Sequence, residues 1–389
     1  MVPVLPLYLR DRGVGLAAVG LVVGVMFVAS LLAQYPAGRL ADRFGRRRFI
    51  VGGALLFAVA NAGFLLPLPV PALLLLRVLA GLGVAAFLPS ATALVADLSP
   101  PHRRGRAYGW LQAARIGGLT AGPALGGLVA LAGRQHVFEI TTLLELVAAG
   151  ILWVALPAGA GRHAEDTADG DGDGGGGGTA AQVAAALRRQ RATLVGVAAT
   201  VGGFTFLFGS YSTIWPLFMR GIGASDAQVG LSFTLFGLPL LVVTPLAGWA
   251  ADRFDRRRLA LLGFAGAGIC APIYPLLHSI PLVLLVGVIE ATMLSVVDPA
   301  IGALVMEGVP PNRRARVQGT VFTVQSGAEA AGALSGGLLF SIGVAVPFVT
   351  GAGLGFVGLL IAIAAFRAGR SPIIRANQGS GDVDSVLPL

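Results

Sequence analysis

Apolar residues fill the chain in long runs, and the stretches between them are short and polar, turn-rich or rich in arginine. Eleven such runs occur, near residues 14–37, 49–68, 72–97, 106–132, 136–156, 192–219, 226–249, 259–278, 281–306, 317–342 and 345–366. About 20 mostly apolar residues in a helix are enough to cross the hydrocarbon core of a bilayer. The pattern therefore predicts an all-α membrane protein with eleven visible spans. Glycine and proline are frequent inside the runs, which membrane helices tolerate where neighbours pack closely.

The polar stretches assign an orientation. Arg39, Arg43, Arg46, Arg47 and Arg48 follow the first run, and Arg103, Arg104 and Arg106 follow the third. Arg188, Arg189 and Arg191 precede the sixth, and Arg253, Arg256, Arg257 and Arg258 follow the seventh. Arg313, Arg314 and Arg316 follow the ninth, and Arg367, Arg370 and Arg375 follow the last. The alternate loops hold little positive charge: Pro67–Pro71, Arg134, Arg220 and the stretch around His278. By the positive-inside rule the Arg-rich loops and the C-terminus are expected on the cytoplasmic side of the cytoplasmic membrane.

Composition agrees. Hydrophobic residues make up 55% of the 389 and charged residues only 12%, too few to cover a water-soluble domain of this size. The net charge of +9 comes wholly from arginine, there being no lysine. Clustered between apolar runs, these arginines read as topology signals rather than as a nucleic-acid surface. The single cysteine, Cys270, excludes a disulfide framework or a cysteine metal cage and reads as a buried thiol.

An internal repeat divides the chain. Gly38-Arg-Leu-Ala-Asp42-Arg-Phe-Gly-Arg46-Arg-Arg48 recurs as Gly248-Trp-Ala-Ala-Asp252-Arg-Phe-Asp-Arg256-Arg-Arg258, an offset of 210 residues. The same offset takes Asp97-Leu-Ser-Pro-Pro-His-Arg-Arg onto Glu307-Gly-Val-Pro-Pro-Asn-Arg-Arg, Pro89 onto Pro299 and Pro6 onto Pro216. A duplicated six-helix unit is a parallel repeat about an axis normal to the membrane. The expected domains are an N-terminal bundle over 1–156, a linker over 157–190, a C-terminal bundle over 191–367 and a disordered tail over 368–389. The linker is acidic and glycine-rich and cannot bury a core. Within it, Asp169, Asp171 and Asp173 resemble the opening of a calcium loop. The twelfth position is Ala180 and no helix pair flanks it, so calcium binding is disfavoured. Carried back to the start, the offset pairs Leu5-Pro-Leu-Tyr8 with Trp215-Pro-Leu-Phe218 but leaves no run for the rest of a first helix. A twelve-helix plan lacking most of its first helix is expected, against a true eleven-helix chain.

GRLADRFGRRR closely resembles the loop signature of the major facilitator superfamily, and GWAADRFDRRR resembles it more loosely, with Asp255 in place of a glycine. The resemblance covers essentially the whole chain apart from the linker, the tail and the first helix. It implies two six-helix bundles and a charge clamp that latches the outward-open state and releases it during alternating access. One clamp would comprise Gly38, Asp42, Arg43, Arg46 and Asp97, with Asp42 facing the helix that begins near Arg316. Symmetry gives Asp252, Arg253, Arg256 and Glu307 as the second. Physically, an aspartate gains from the partial positive charge of a helix N-terminus, and arginines pair with nearby acids. The competing reading is that the arginines only set topology. Leu74-Leu-Leu-Arg77-Val-Leu-Ala-Gly81 resembles a second family motif, which implies proton transfer for Arg77; a structural ion pair stays open. Gly118, Gly122, Pro123, Gly126 and Gly127 match the GxxxGPxxGG pattern of the drug:proton antiporter, or multidrug efflux, branch. Glycines four apart predict a flat face for helix packing, bent at the proline.

Other polar residues fall inside spans. Gln112 and Arg115 share one helical face, as do Gln325 and Glu329, and the offset maps Arg115 onto Gln325. That places a cation of one half opposite an acid of the other across a central cavity. Glu290, Asp298 and Glu329 are the candidates for proton coupling, because a carboxyl within a span must be paired or able to exchange its proton. Satisfied interhelical pairs are the alternative.

The expected function is secondary active transport, with protons entering as a drug-like or metabolite solute leaves. An importer or uniporter of a sugar or organic acid, or a non-transporting sensor or scaffold, are the alternatives. No catalytic constellation, metal spacing or phosphate-binding loop is visible, so neither an enzyme nor a resident cofactor is expected. The expected partners are the lipid bilayer, a small solute and protons, with the chain acting as a monomer.

Overall fold

The structure, a computed structural model, describes residues 3–100, 103–157, 180–306 and 314–368. Its helices are α1 (Leu5–Asp11), α2 (Leu16–Phe44), α3 (Arg46–Ala62), α4 (Val70–Leu98), α5 (Arg104–Ala130) and α6 (Arg134–Ala155) in the first half. The second half holds α7 (Ala180–Gly221), α8 (Asp226–Arg253), α9 (Arg256–Cys270), α10 (Ile280–Met306), α11 (Arg314–Ile342) and α12 (Val346–Ala368). Short 3-10 turns at Gly63–Leu65 and Ala271–Leu276 close α3 and α9. Among the described residues there is no strand.

Each apolar run falls on one of the long helices α2 to α12. Among the described residues nine helices are both long and apolar enough to cross a membrane. α5 and α11 match them in length, but arginines, Gln112, Gln325, Glu329 and many small residues dilute their apolarity.

The repeat is visible in the helix starts. α2 and α8 begin at 16 and 226, α3 and α9 at 46 and 256, α4 and α10 at 70 and 280, α5 and α11 at 104 and 314. Every pair is 210 residues apart. On that register Leu5–Asp11 lands on the last seven residues of α7. α12 starts two residues later than the offset asks, after the turn at Gly343.

Two departures from the sequence pattern have local causes. The linker expected over 157–190 is shorter, because α7 already begins at Ala180. Ala180-Ala-Gln-Val-Ala-Ala-Ala-Leu-Arg-Arg-Gln is built of strong helix formers and extends the span that begins at Ala192. The calcium-like aspartates and the tail beyond Ala368 lie outside the described residues. The loosened second copy of the loop motif also makes sense. Gly45 turns with a φ of 99°, a conformation that favours glycine, whereas Asp255 has a φ of −61°. Asp255 instead caps α9, accepting hydrogen bonds from the backbone of Arg257 and Arg258.

Within the halves, α2 and α3 pack on α4, α6 packs on α3, and α8 and α9 pack on α10. α7 lies against α11 and α12. Between the halves, α2 packs on α11 and α5 on α8. In the second half, Phe204 of α7 stacks on Phe264 of α9 with ring centroids 4.6 Å apart, and both are buried. Truncating Phe204 to alanine is expected to cost about 3 kcal/mol, because the cavity left behind cannot collapse between three helices. A melting curve in detergent would check this; an unchanged midpoint would contradict it.

Candidate functional site

The two seams between the halves define the site. At the first, Gly20 and Gly24 of α2 face Leu334 and Gly337 of α11, and a Cβ on Gly20 would stand 2.9 Å from the Gly337 nitrogen. At the second, a Cβ on Gly127 of α5 would stand 2.6 Å from the carbonyl oxygen of Asp226 on α8. Thr234 closes the same seam by donating to the Thr120 carbonyl at 2.6 Å. All these contacts lie in the helix halves that lead to the Arg-poor loops. Nearer the Arg-rich loops, nothing stands within 4 Å of where a Cβ would be on Gly38, Gly109, Gly248 or Gly319. The close glycine contacts between the halves thus fall on the Arg-poor side of the molecule.

Between these ends the structure places Arg115 of α5 within electrostatic reach of Glu329 of α11. Gln112, one turn before Arg115, is exposed, and Gln325 is half-buried. Arg115 and Glu329 thus bring a cation of one half and an acid of the other to the same space.

Glu290 lies inside the second half, 2% exposed. Its carboxylate accepts hydrogen bonds from the Tyr274 hydroxyl at 2.6 Å and the Tyr211 hydroxyl at 3.4 Å. Trp215 and Phe348 complete the aromatic cage. Tyr274 sits on the irregular turn after α9, where helical periodicity gives no clue to its direction. The Asp298 side chain lies outside the described residues.

Arg77 is buried, with its guanidinium 5.6 Å from the Phe64 ring centroid and within electrostatic reach of Glu145. The same Glu145 accepts two hydrogen bonds from the buried Asn61, at 2.8 and 3.0 Å. These three residues form one group on α3, α4 and α6.

The glycine motif of α5 is only partly a packing face. Gly118 and Gly122 meet nothing within 4 Å, while Gly126 is half-buried and Gly127 buried. The helical period is the reason: Thr120, Pro123 and Gly127 point at α8, and Gly118 and Gly122 lie on the opposite face. The expected flat face of glycines four apart is corrected accordingly.

At the Arg-rich end, Arg46 donates to Asp42 at 3.0 Å and to Asp97, tying α2, α3 and α4 together. Arg43 and Arg253 lie over the rings of Phe44 and Trp249, at 5.4 and 4.2 Å. Arg256 donates to the Ala251 carbonyl at 3.1 Å. The Asp252 and Arg316 side chains and Glu307 lie outside the described residues, so the second clamp and the approach of Asp42 to α11 do too.

One charge group was not singled out from the sequence. At the Arg-poor end Arg134 forks onto Asp226, Nε to Oδ2 at 2.9 Å and Nη2 to Oδ1 at 2.8 Å, and also donates to Asp11.

Comparison with known proteins fits this layout. The sequence profile of the Major Facilitator Superfamily matches residues 1–215 and 197–388. The chain belongs to the Major Facilitator Superfamily. Among relatives of this superfamily member, it is 31% identical to the quinolone resistance protein NorA of Staphylococcus aureus over 148 residues. That alignment spans 38% of this chain and 38% of the relative's length. It is 25% identical over 368 residues to multidrug resistance protein 2 of Bacillus subtilis, covering 92% of this chain and 89% of that protein. Among solved structures, a bacterial homologue of the human lysosomal transporter Spinster, inward-facing and unoccupied, matches with a TM-score of 0.71. The identity there is 18%, over 95% of this chain and 92% of the other. A D-xylose–proton symporter matches with a TM-score of 0.72 at 17% identity, covering 92% of each chain. At such identities these structures show that the superfamily fold is shared and nothing finer.

Proposed function

We propose that this superfamily member is a secondary active transporter that exports a drug-like or small metabolite solute in exchange for protons, working as a monomer by alternating access. The observation that carries the reading is the placement of Arg115 and Glu329, one from each half, within electrostatic reach of each other beside seams that close on the Arg-poor side. A group that can change charge there biases the two halves toward or away from each other, which is what coupling requires. Similarity to multidrug resistance protein 2 over 92% of the chain supports export of drug-like solutes. The positive-inside rule puts the Arg-rich end in the cytoplasm, and with the seams closed on the other side we read the state as inward-open. Glu290 in its tyrosine cage is the second proton-carrying group, and Arg46 with Asp42 and Asp97 braces the first half at the cytoplasmic face.

The test is proton flux in proteoliposomes loaded with a pH dye, with ethidium and norfloxacin as probe solutes. Solute addition is expected to move protons in the opposite direction, and collapsing the pH gradient is expected to stop accumulation. Solute movement that is indifferent to the gradient would reject antiport. A Glu329→Gln variant is expected to lose most of the exchange, by about tenfold or more, while still folding.

A further inference from the structure

We propose that Arg134, with Asp226 and Asp11, is the ionic latch that holds the Arg-poor end shut, and that it must break for the transporter to open on that side. This rests on the alternating-access reading above and adds to it a set of gate residues that the motifs do not contain.

Placement argues first. Arg134 is the first residue of α6, where the helix macrodipole disfavours a cation, so the arginine does nothing for its own helix. Gly133, with a φ of 144°, turns the chain immediately before it. Asp226 is the first residue of α8, where an anion is favoured, and the Ser225–Gln228 capping box fixes that helix start. Asp11 ends α1. The three side chains therefore come from three elements and both halves of the molecule.

Geometry argues second. The two parallel bonds between the guanidinium and Asp226, at 2.9 and 2.8 Å, are the bidentate arrangement in which such pairs are strongest. The side chains of Arg134 and Asp226 are only 14% and 11% exposed, so solvent screens the pair weakly. Arg220 stands 4.0 Å from the Asp226 carboxylate, giving two arginines and two aspartates in one group. Gly127 presses against the carbonyl of Asp226 itself, so separating α5 from α8 moves Asp226 away from α6. The close seam and the ion pair are thus mechanically one device.

Comparison between the ends argues third. The bonds of Arg46 to Asp42 and Asp97 lie within one half and survive any rotation of the halves. The Arg134–Asp226 bonds cross between halves and cannot. The repeat offers no second copy either: at the 210 offset Asp226 corresponds to Leu16, and Arg134 to Val344. A topology signal or an inherited loop feature would have no reason to sit in this cross-half fork.

The test reads access to the seam. In a Cys270→Ala background, Thr234→Cys places a probe where α5 meets α8, and its reaction with a membrane-impermeant maleimide is timed in right-side-out and inside-out vesicles. Leu66→Cys, exposed in an Arg-poor loop, reports which side of the membrane that end faces. Arg134→Gln and Asp226→Asn are each expected to speed labelling from the Arg-poor side by about tenfold, since each removes both bonds that cross between the halves. The double variant is expected to match the singles, because one latch can be lost only once. Asp11→Asn, which removes only a bond within the first half, is expected to leave the labelling rate within about twofold of the parent. Unchanged labelling in both single variants, or a double variant faster by the product of the singles, would overturn the latch. Labelling of Leu66→Cys from the cytoplasmic side would instead overturn the orientation while the latch is still read from that side.

Discussion

Replacing Glu290 by glutamine is expected to cut proton-coupled transport by at least about tenfold while leaving the protein folded. The carboxyl is 2% exposed, and both of its hydrogen bonds among the described residues come from tyrosine hydroxyls rather than from a cation. Hydroxyls can donate to a carboxylate and accept from a carboxylic acid, so the cage tolerates either state without rebuilding. Glutamine keeps the shape and one acceptor but has no proton to exchange. Tyr274→Phe removes the 2.6 Å donor and is expected to reduce coupling by roughly threefold, in line with the loss of one hydrogen bond. Solute-driven proton flux at several external pH values would check both. A Glu290→Gln protein that still couples fully would leave Glu329 as the carrier and remove Glu290 from the mechanism.

The second large effect is expected at Arg46. Its side chain is 11% exposed and holds Asp42, 55% exposed, and Asp97, 39% exposed. Removing the guanidinium leaves two carboxylates facing each other with their repulsion uncompensated. Because both acids reach water, the cost in stability is expected to be about 1–2 kcal/mol rather than the larger value for a buried pair. Transport is expected to fall further than stability, by about tenfold, because α2, α3 and α4 would no longer move as one body. Arg46→Lys, which keeps the charge but not the fork, is expected to recover part of it. Arg46→Ala with normal transport and a lowered melting point would make the group a structural brace only.

The positions that sequence pattern located well are those governed by hydrophobic length and by the repeat. Eleven runs lie on eleven long helices, and an offset found in the loop motifs predicts the starts of α8, α9, α10 and α11 from those of α2, α3, α4 and α5. The placement of Arg115 opposite Glu329 also followed from the offset, because both halves share one helix register. What pattern missed depends on direction rather than on spacing. Gly118 and Gly122 belong to a packing motif by sequence, yet the seam uses Thr120, Pro123 and Gly127 on the other face of α5. Arg134 reads as a stray charge in an Arg-poor loop until α6 and α8 are brought together. Its place at a helix start is no sign, because Arg46, Arg104, Arg256 and Arg314 open helices too. Tyr211 and Tyr274 find Glu290 through tertiary packing of α7, the turn after α9 and α10. The first turns of α7 were lost to the linker because the neighbouring glycines outweighed their helix formers.

The most direct test of the account is whether the two ends open and close in opposition. Two symmetric pairs suit it: Leu66 and Leu276 at the Arg-poor end, and Phe44 and Phe254 at the Arg-rich end, all exposed and each pair related by the 210 offset. Spin labels on these pairs, with distances measured by pulsed electron resonance in nanodiscs, would report both ends at once. Unliganded protein at neutral pH is expected to show a short Leu66–Leu276 distance and a long Phe44–Phe254 distance. Acidification or saturating ethidium is expected to lengthen the first as it shortens the second. Distances that stay fixed, or that change in the same direction at both ends, would contradict alternating access in this chain.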